Sequence, residues 1–343
     1  MIQLKNKKAL TLLRIAALIV TLTSIYIFAP WQFALYYFYP LPANVQAQTQ
    51  EAIEQGIDGI IVYIHKQGQQ PEYFANGWHD REQKIPAYPN ALFKIGSIRK
   101  LYDAAALTKL SAAGRIEIDK TLTDYLPSLI GRIENADKIT LRMMVKHKSG
   151  IPNYTDTDNF DWSITYPDPL ALVLDKPADF SPDADYGYSN TNYLLLRKIM
   201  SNVLGYDHNQ YIKDEILTPL GLTHTFSSVH EINLVDLMSG YYVGYENDFK
   251  ALDQGYVATA QDVGDFIFAL NKGTFFDEQE QALYASLYKY EHTGWVLGYS
   301  SIARYYKDID TVVVQFINTN GDDTVMLTEI IYNRIIDIVT AQQ

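Results

Sequence analysis

The chain has 343 residues, 48% of them hydrophobic and 20% charged, enough for one large globular body or two small ones and too apolar for compositional disorder. Its net charge of -12 is lopsided: Lys5, Lys7, Lys8 and Arg14 are the only charged residues before Glu51, so the remainder is more acidic still and lacks a basic stripe for nucleic acid. The absence of cysteine excludes disulfides, thiolate metal sites and cysteine nucleophiles, and the seven histidines show no His-x-x-x-His or comparable ligand spacing, so neither cofactor nor metal is indicated.

From Ile15 to Ala29 the sequence is uncharged. With Ala9 to Leu13 ahead of it, it approaches the roughly 20 residues that span a bilayer as a helix. Arg14 interrupts the run and can snorkel towards the headgroups. Trp31, Tyr36, Tyr37 and Tyr39 suit the far interface as an aromatic belt, and all nearby cations lie on the N-terminal side. The positive-inside rule then places the N-terminus in the cytoplasm and the body on the periplasmic or extracellular side. A cleaved signal peptide is the rival reading, with small residues at Val45-Gln46-Ala47. Residues 1–43 are accordingly expected to form a basic stub, a single-pass membrane helix and an interface segment, and 44–343 the exported body.

Within that body, residues 44–56 read as a short helix ending at Gly56, Gly59 to His65 as a β-rich strand, and Tyr73 to Trp78 as its partner. Helices are expected from Ile98 to Ala113, from Asn192 to Leu204 before Gly205, and up to Leu217 before Pro219. Two late strands are suggested by Trp295 to Tyr305 and Thr311 to Ile317, joined by the turn Lys307 to Asp310. The final segment, Asp322 to Thr340, offers a capping aspartate and Val325, Ile330, Ile331, Ile335 and Ile338 at helical spacing. The pattern predicts an α+β body: a sheet part from about 44–95 and 255–343, with a helical part, about 97–254, inserted.

Three short motifs carry the chemistry. A serine three residues ahead of a lysine on a helix shares a face with it, so the amine reaches the hydroxyl and can act as base. The spacing occurs twice, at Ser97/Lys100 and Ser286/Lys289, and setting decides between them. Ser97 follows the loop Phe93-Lys94-Ile95-Gly96 and opens a helix, where free N–H groups favour an alkoxide and supply half of an oxyanion hole; Ser286 reads as surface helix. Tyr-x-Asn occurs at Tyr88, Tyr188 and Tyr245, but only Tyr188-Ser189-Asn190 precedes an apolar helix. There Tyr188 can exchange protons with Ser97 while Asn190 holds substrate. A tyrosine ordinarily titrates near 10, so a phenolate at neutral pH needs about 4 kcal/mol from neighbouring cations, Lys100 first among them. The third motif is His292-Thr293-Gly294 at a strand start: glycine admits the substrate backbone, threonine offers a hydroxyl, and the Trp295 N–H can complete the oxyanion hole.

In this order, and with gaps of about 90 and 100 residues, the motifs resemble those of the serine β-lactamase and penicillin-binding family in its class C branch, which also holds D-alanyl-D-alanine carboxypeptidases, D-amino-acid peptidases and esterases. The flanks FKIGSIRKLYDAAALTKL, ITLRMMVKHKSGIPNY and YGYSNTNYLLLRKIM are similar as well. The resemblance implies an antiparallel sheet flanked by terminal helices beside an all-helical region. It assigns Ser97 as acylated nucleophile, Lys100 and Tyr188 as general base and acid, Asn190 as substrate amide contact, and His292 with Thr293 as positioning residues. His147-Lys148-Ser149-Gly150 matches an element that is normally structural.

The chain departs from the family's lactamases at His292, where they usually carry lysine. A largely neutral histidine clamps a carboxylate less firmly, which favours peptidase or esterase action. Arg99 is also unusual after the serine and is expected to face solvent. The expected reaction is acyl transfer to water through a Ser97 ester on a cell-wall peptide, D-amino-acid amide, β-lactam or ester. The contrasting expectation is a membrane-tethered binding protein that keeps the scaffold without turnover.

Overall fold

The structure is a computed structural model that describes residues 7–29, 31–321 and 324–341. It divides into two compact units, Met1–Leu41 and Pro42–Gln343. In the first, helix α1 (Lys7–Phe28) has 22 residues, so it is about 33 Å long at 1.5 Å per residue. Its stretch Lys8–Phe28 is long and apolar enough to cross a membrane, a property that anchors and signal sequences share. Helix α2 (Trp31–Phe38) follows. Trp31, Tyr37 and Tyr39 are exposed, whereas Tyr36 is buried.

The second unit opens with α3 (Val45–Glu54), whose first turn is capped by Asn44 accepting from the Ala47 N–H. Strands β1 (Gly59–Lys66), β2 (Glu72–Asp80) and β3 (Ile85–Pro86) come next. Four two-residue strands follow: β4 (Phe93–Lys94), β5 (Thr225–Phe226), β6 (Tyr241–Tyr242) and β7 (Val257–Ala258). The chain's last strands are β8 (His292–Val296), β9 (Tyr299–Tyr306), β10 (Thr311–Ile317) and β11 (Thr319–Asn320). The main sheet is antiparallel with order β3-β2-β1-β10-β9-β8, so chain start and chain end meet at the centre, where Tyr63 pairs with Val314.

Both faces of this sheet are covered, and strand alternation shows by what. Tyr63 and His65 face α9 (Ala260–Lys272): the Tyr63 hydroxyl donates to Asp265 at 2.7 Å, its ring fills the space a Cβ on Gly264 would take, and His65 stacks on Phe268. The opposite parity faces the terminal helix α11 (Thr324–Ala341), where Gln315 donates to the Thr328 carbonyl and the Tyr332 hydroxyl donates to the Val313 carbonyl. Arg334 of α11, only 3% exposed, donates to Gln48 and Glu51 and so clasps α3, the first helix of this unit, to the last.

Helix α4 (Arg99–Ala112) is the axis of the helical region, with Leu101 through Thr108 all buried, Asp103 among them. Around the region run α5 (Leu122–Tyr125), α6 (Leu141–Val145), α7 (Asn190–Leu204), α8 (His208–Ile212) with a π-helical turn Lys213–Leu217, and α10 (Glu278–Leu287).

Several sequence expectations are corrected. Trp295 to Tyr305 is a hairpin rather than one strand, because Gly298 turns the chain at φ 86° between β8 and β9. The inserted part is not all-helical, since it contributes β5 and β6, and the C-terminal sheet part carries α9 and α10. Helix α7 starts at Asn190, two residues early, because the Asn153 side chain accepts the Asn190 N–H. Val325 is exposed, whereas Ile330, Ile331, Ile335 and Ile338 are buried as expected. The predicted capping Asp322 lies outside the described residues.

Candidate active site

Ser97 sits in a one-turn 3-10 helix, Gly96–Ile98, that leads into α4. Gly96 adopts φ 53°, and a Cβ there would lie 2.7 Å from the Trp295 nitrogen. Across the contact, a Cβ on Gly294 would overlap the Ile95 carbonyl and the Ser301 hydroxyl. Two glycines thus let β8 press against the serine turn, with the Trp295 nitrogen close to Gly96.

The serine oxygen lies between two of the predicted partners. Lys100 Nζ donates to Ser97 Oγ at 2.9 Å, and the Tyr188 hydroxyl donates to it at 2.7 Å. Lys100 also donates to Asn190 Oδ1 at 2.8 Å, and Asn190 Nδ2 is held by Thr155 Oγ1. The lysine is 5% exposed; burial, then the positive charge of Arg197, lowers it to about 7. Tyr188 moves the other way. Burial pushes it up to about 12, and the bond to Ser97 offsets this only in part. Burial therefore disfavours the phenolate considered from sequence, and Lys100 is the group whose neutral form is accessible near pH 7.

His147 holds Tyr188 in place. Its ring stacks on the Tyr188 ring with centroids 4.4 Å apart, its Nδ1 accepts the Ser189 N–H, and its carbonyl accepts the Gly187 N–H. Burial, followed by the charges of Lys100 and Lys289, lowers it to about 3, so the ring is neutral. Ser149 donates to Asn192 Oδ1 from the same segment, in keeping with a structural role.

His292 lines the cleft but is 5% exposed, and both its ring nitrogens are used. Nδ1 faces the Thr293 carbonyl, which can only accept, so Nδ1 carries the proton and Nε2 accepts from the Tyr288 hydroxyl at 2.9 Å. Burial, then Lys289 and Lys100, hold the ring well below its ordinary value. The free donor expected of this histidine is thus spent inside the protein. Thr293 is exposed towards the cleft, Gly294 is buried and Trp295 is half-buried.

Arg99 does not face solvent. It lies 4.5 Å over the Tyr256 ring, donates to Asn209 Oδ1, contacts His208 and pairs with Asp103 at 3.6 Å. Arg197 of α7 pairs with the same carboxylate at 3.2 Å. Burial pushes Asp103 up, but the two guanidinium groups outweigh it and keep the carboxyl below its usual range. The Arg99–Asp103 spacing of i,i+4 was visible in sequence; Arg197 was not, because it comes from another helix.

The cleft over Ser97 has a volume of about 760 Å³. One wall is aromatic: the Trp162 and Trp295 ring centroids are 5.0 Å apart, Phe160 meets Trp162 at 5.0 Å, and Tyr166 stacks on Phe160. Ser286, the rival serine, is exposed on α10 and donates to the Leu283 carbonyl. Among the described residues, no group of three or more His, Asp or Glu side chains is placed to hold a metal.

The comparisons with known proteins bear on the fold and the family. The D-amino acid amidase of Ochrobactrum anthropi SV3, complexed with L-phenylalanine amide, has a similar fold at TM-score 0.76 and 19% identity, over 87% of this chain and 98% of that one. A beta-lactamase of Pseudomonas fluorescens is 30% identical over 57% of this chain and 52% of its own length. Protein flp of Staphylococcus aureus (strain MW2) is 26% identical over 63% of this chain and 46% of its own. The chain thus spans about half the length of these curated relatives. A model of the Beta-lactamase family matches residues 42–289, from the start of α3's approach through the Ser97, Tyr188 and Lys289 segments, and the chain belongs to that family.

Proposed function

We propose that this protein is a serine hydrolase that works through an acyl-enzyme on Ser97, acting on a peptide or D-amino-acid amide, or on an ester. The observation that carries the reading is Ser97 Oγ held at 2.9 Å from a lysine lowered to about 7 and at 2.7 Å from a tyrosine that stays protonated. Neutral Lys100 takes the Ser97 proton as Oγ attacks the substrate carbonyl. The Ser97 and Trp295 N–H groups receive the negative charge of the tetrahedral intermediate. Tyr188, as a phenol, donates to the departing nitrogen or oxygen and recovers a proton from the Lys100 ammonium. Water then cleaves the ester by the reverse proton path. Asn190 fixes Lys100, and Thr293 with the backbone of β8 aligns the substrate.

The aromatic wall supports an apolar acyl group, and the solved amidase with its phenylalanine amide is similar in fold. The apolar helix α1 supports a body held at a membrane surface, with the cations of the N-terminus on the cytoplasmic side.

The test is hydrolysis of a chromogenic phenylacetyl ester together with covalent labelling by a fluorophosphonate. Ser97→Ala is expected to abolish both, with kcat down at least about 1000-fold. Undiminished turnover in the variant would sink the assignment. A wild-type protein that binds the ester's acid product but neither turns over nor labels would mark the binding-protein alternative.

A further inference from the structure

Lys94 is a buried cation that the reaction at Ser97 does not use. It sits on β4, three residues before Ser97, and is 1% exposed. Strand β4 pairs with β7, Lys94 opposite Val257, and the residues just ahead of β7, 249–256, form neither helix nor strand. The Lys94 ammonium reaches into that loop. Its Nζ donates to the Leu252 carbonyl at 2.6 Å, to the Phe249 carbonyl at 2.7 Å and to Gln254 Oε1 at 3.5 Å, and it lies 5.0 Å over the Tyr299 ring. Burial lowers it to about 7, against the opposing pull of the Asp248 and Asp253 carboxylates. Burying an ammonium is costly, and a methionine would fill a similar volume without that cost. What the charge adds is a pair of short bonds that fix two carbonyls of a loop with no ladder to hold it.

The loop it fixes forms part of the cleft. Asp253, Gln254 and Gly255 line the cavity over Ser97, and Gln254 Nε2 donates to the Trp162 carbonyl at 3.4 Å. Trp162 belongs to a second irregular loop, residues 157–168, which is closed on itself by the Tyr166 hydroxyl: this accepts the Asp161 N–H and donates to the Asn159 carbonyl. That loop presents the aromatic wall. The Trp162 ring rests on Trp295, while Gln254 holds the Trp162 backbone. Loops of this kind open at little free-energy cost unless something ties them down. A chain of contacts therefore runs from β4, through the 249–255 backbone and Gln254, to the wall that faces the nucleophile.

The geometry points to Lys94 as a positioning residue for acyl-group selectivity: it holds the 249–255 loop, and through Gln254 the Trp162 loop, where the aromatic wall can receive an apolar acyl group. This rests on the Ser97 reading above and adds the part of the molecule that sets which acyl group is preferred. Lys94 touches neither substrate nor the reacting atoms; it acts through the two loops.

The test uses the full-length chain in detergent with p-nitrophenyl phenylacetate and p-nitrophenyl acetate, which share a leaving group and differ in one phenyl ring. In the wild type, kcat/KM for the phenylacetate is expected to exceed that for the acetate by at least about tenfold. Lys94→Met is expected to remove most of that margin by raising KM for the phenylacetate, with kcat on the acetate and fluorophosphonate labelling within about twofold of wild type. Gln254→Leu leaves the buried cation in place and cuts the link to Trp162; it is expected to reduce the same margin, and the double variant to lose no more than Lys94→Met alone, as residues in one chain of contacts do. Should Lys94→Met fail to fold, Gln254→Leu decides by itself: a margin that survives it overturns the assignment. Equal losses on both esters in Lys94→Met, or losses that add in the double variant, would overturn it too. A wild type active on both esters without a margin overturns this inference alone, whereas a wild type inactive on both and unlabelled overturns the Ser97 reading and this inference with it.

Discussion

As the base of the proposed reaction, Lys100 depends on surroundings that take away its charge. A lysine in water is protonated at neutral pH and cannot accept a proton; burial in the first turn of α4, with Arg197 nearby, lowers it to about 7. A base must be unprotonated to act, so kcat/KM for a neutral ester is expected to climb as pH rises through about 7. It should then hold, because Tyr188 keeps its proton until near 12. A profile flat between about pH 6 and 8 would place the base elsewhere. Lys100→Arg keeps a cation of similar length that does not deprotonate in this range, and kcat is expected to fall by about 1000-fold. At this scale the sequence was informative for the groups that share one short segment. Ser97 and Lys100 are three apart on one helical turn, and that proximity needs no fold. The opposite displacements of Lys100 and Tyr188 were not legible, since they depend on what surrounds each group, and Arg197 arrives from α7.

Elements enter where one backbone must approach another. The serine turn meets β8 only because Gly96 and Gly294 lack side chains, and Gly96 also takes a positive φ of 53°. Gly96→Ala adds a Cβ 2.7 Å from the Trp295 nitrogen and forces the turn and strand apart. The oxyanion donors separate with them. The expected result is a loss of kcat of at least about 100-fold, with KM less affected and far-UV circular dichroism unchanged. Full activity in this variant would show that the Trp295 N–H takes no part. The hairpin β8–β9 shows why elements were only partly readable: Trp295 to Tyr305 looks like one apolar run, and its break depends on a single glycine at φ 86°, where a Cβ would lie 2.6 Å from the Gly240 backbone. Lys289 shows the same limit from the other side. Read along the chain it belongs to a decoy motif with Ser286; in space the serine points outward from α10 and the lysine lies on the cleft wall.

For the whole molecule, Met1–Leu41 with α1 and Pro42–Gln343 with the Ser97 cleft are two compact units. The full chain is expected to co-float with lipid vesicles on a density gradient. Replacing both Leu18 and Val20 with Asp puts two charges near the middle of α1, each costing about 3 kcal/mol in a bilayer. That variant is expected to stay in the dense fraction with its ester hydrolysis intact; flotation equal to that of the wild type would remove the anchor reading. Sequence alone determined the long apolar helix, the two-ended sheet and the Ser97/Lys100 pair, because periodicity, length and helical spacing are local properties of a chain. Only the tertiary structure decided that Tyr188 points at Ser97, that His292 is buried and occupied, that Arg99 is turned inward, and that Lys289 lies on the cleft wall. Those facts depend on which distant segments share a contact and on how much water they exclude, and neither is written in the order of residues.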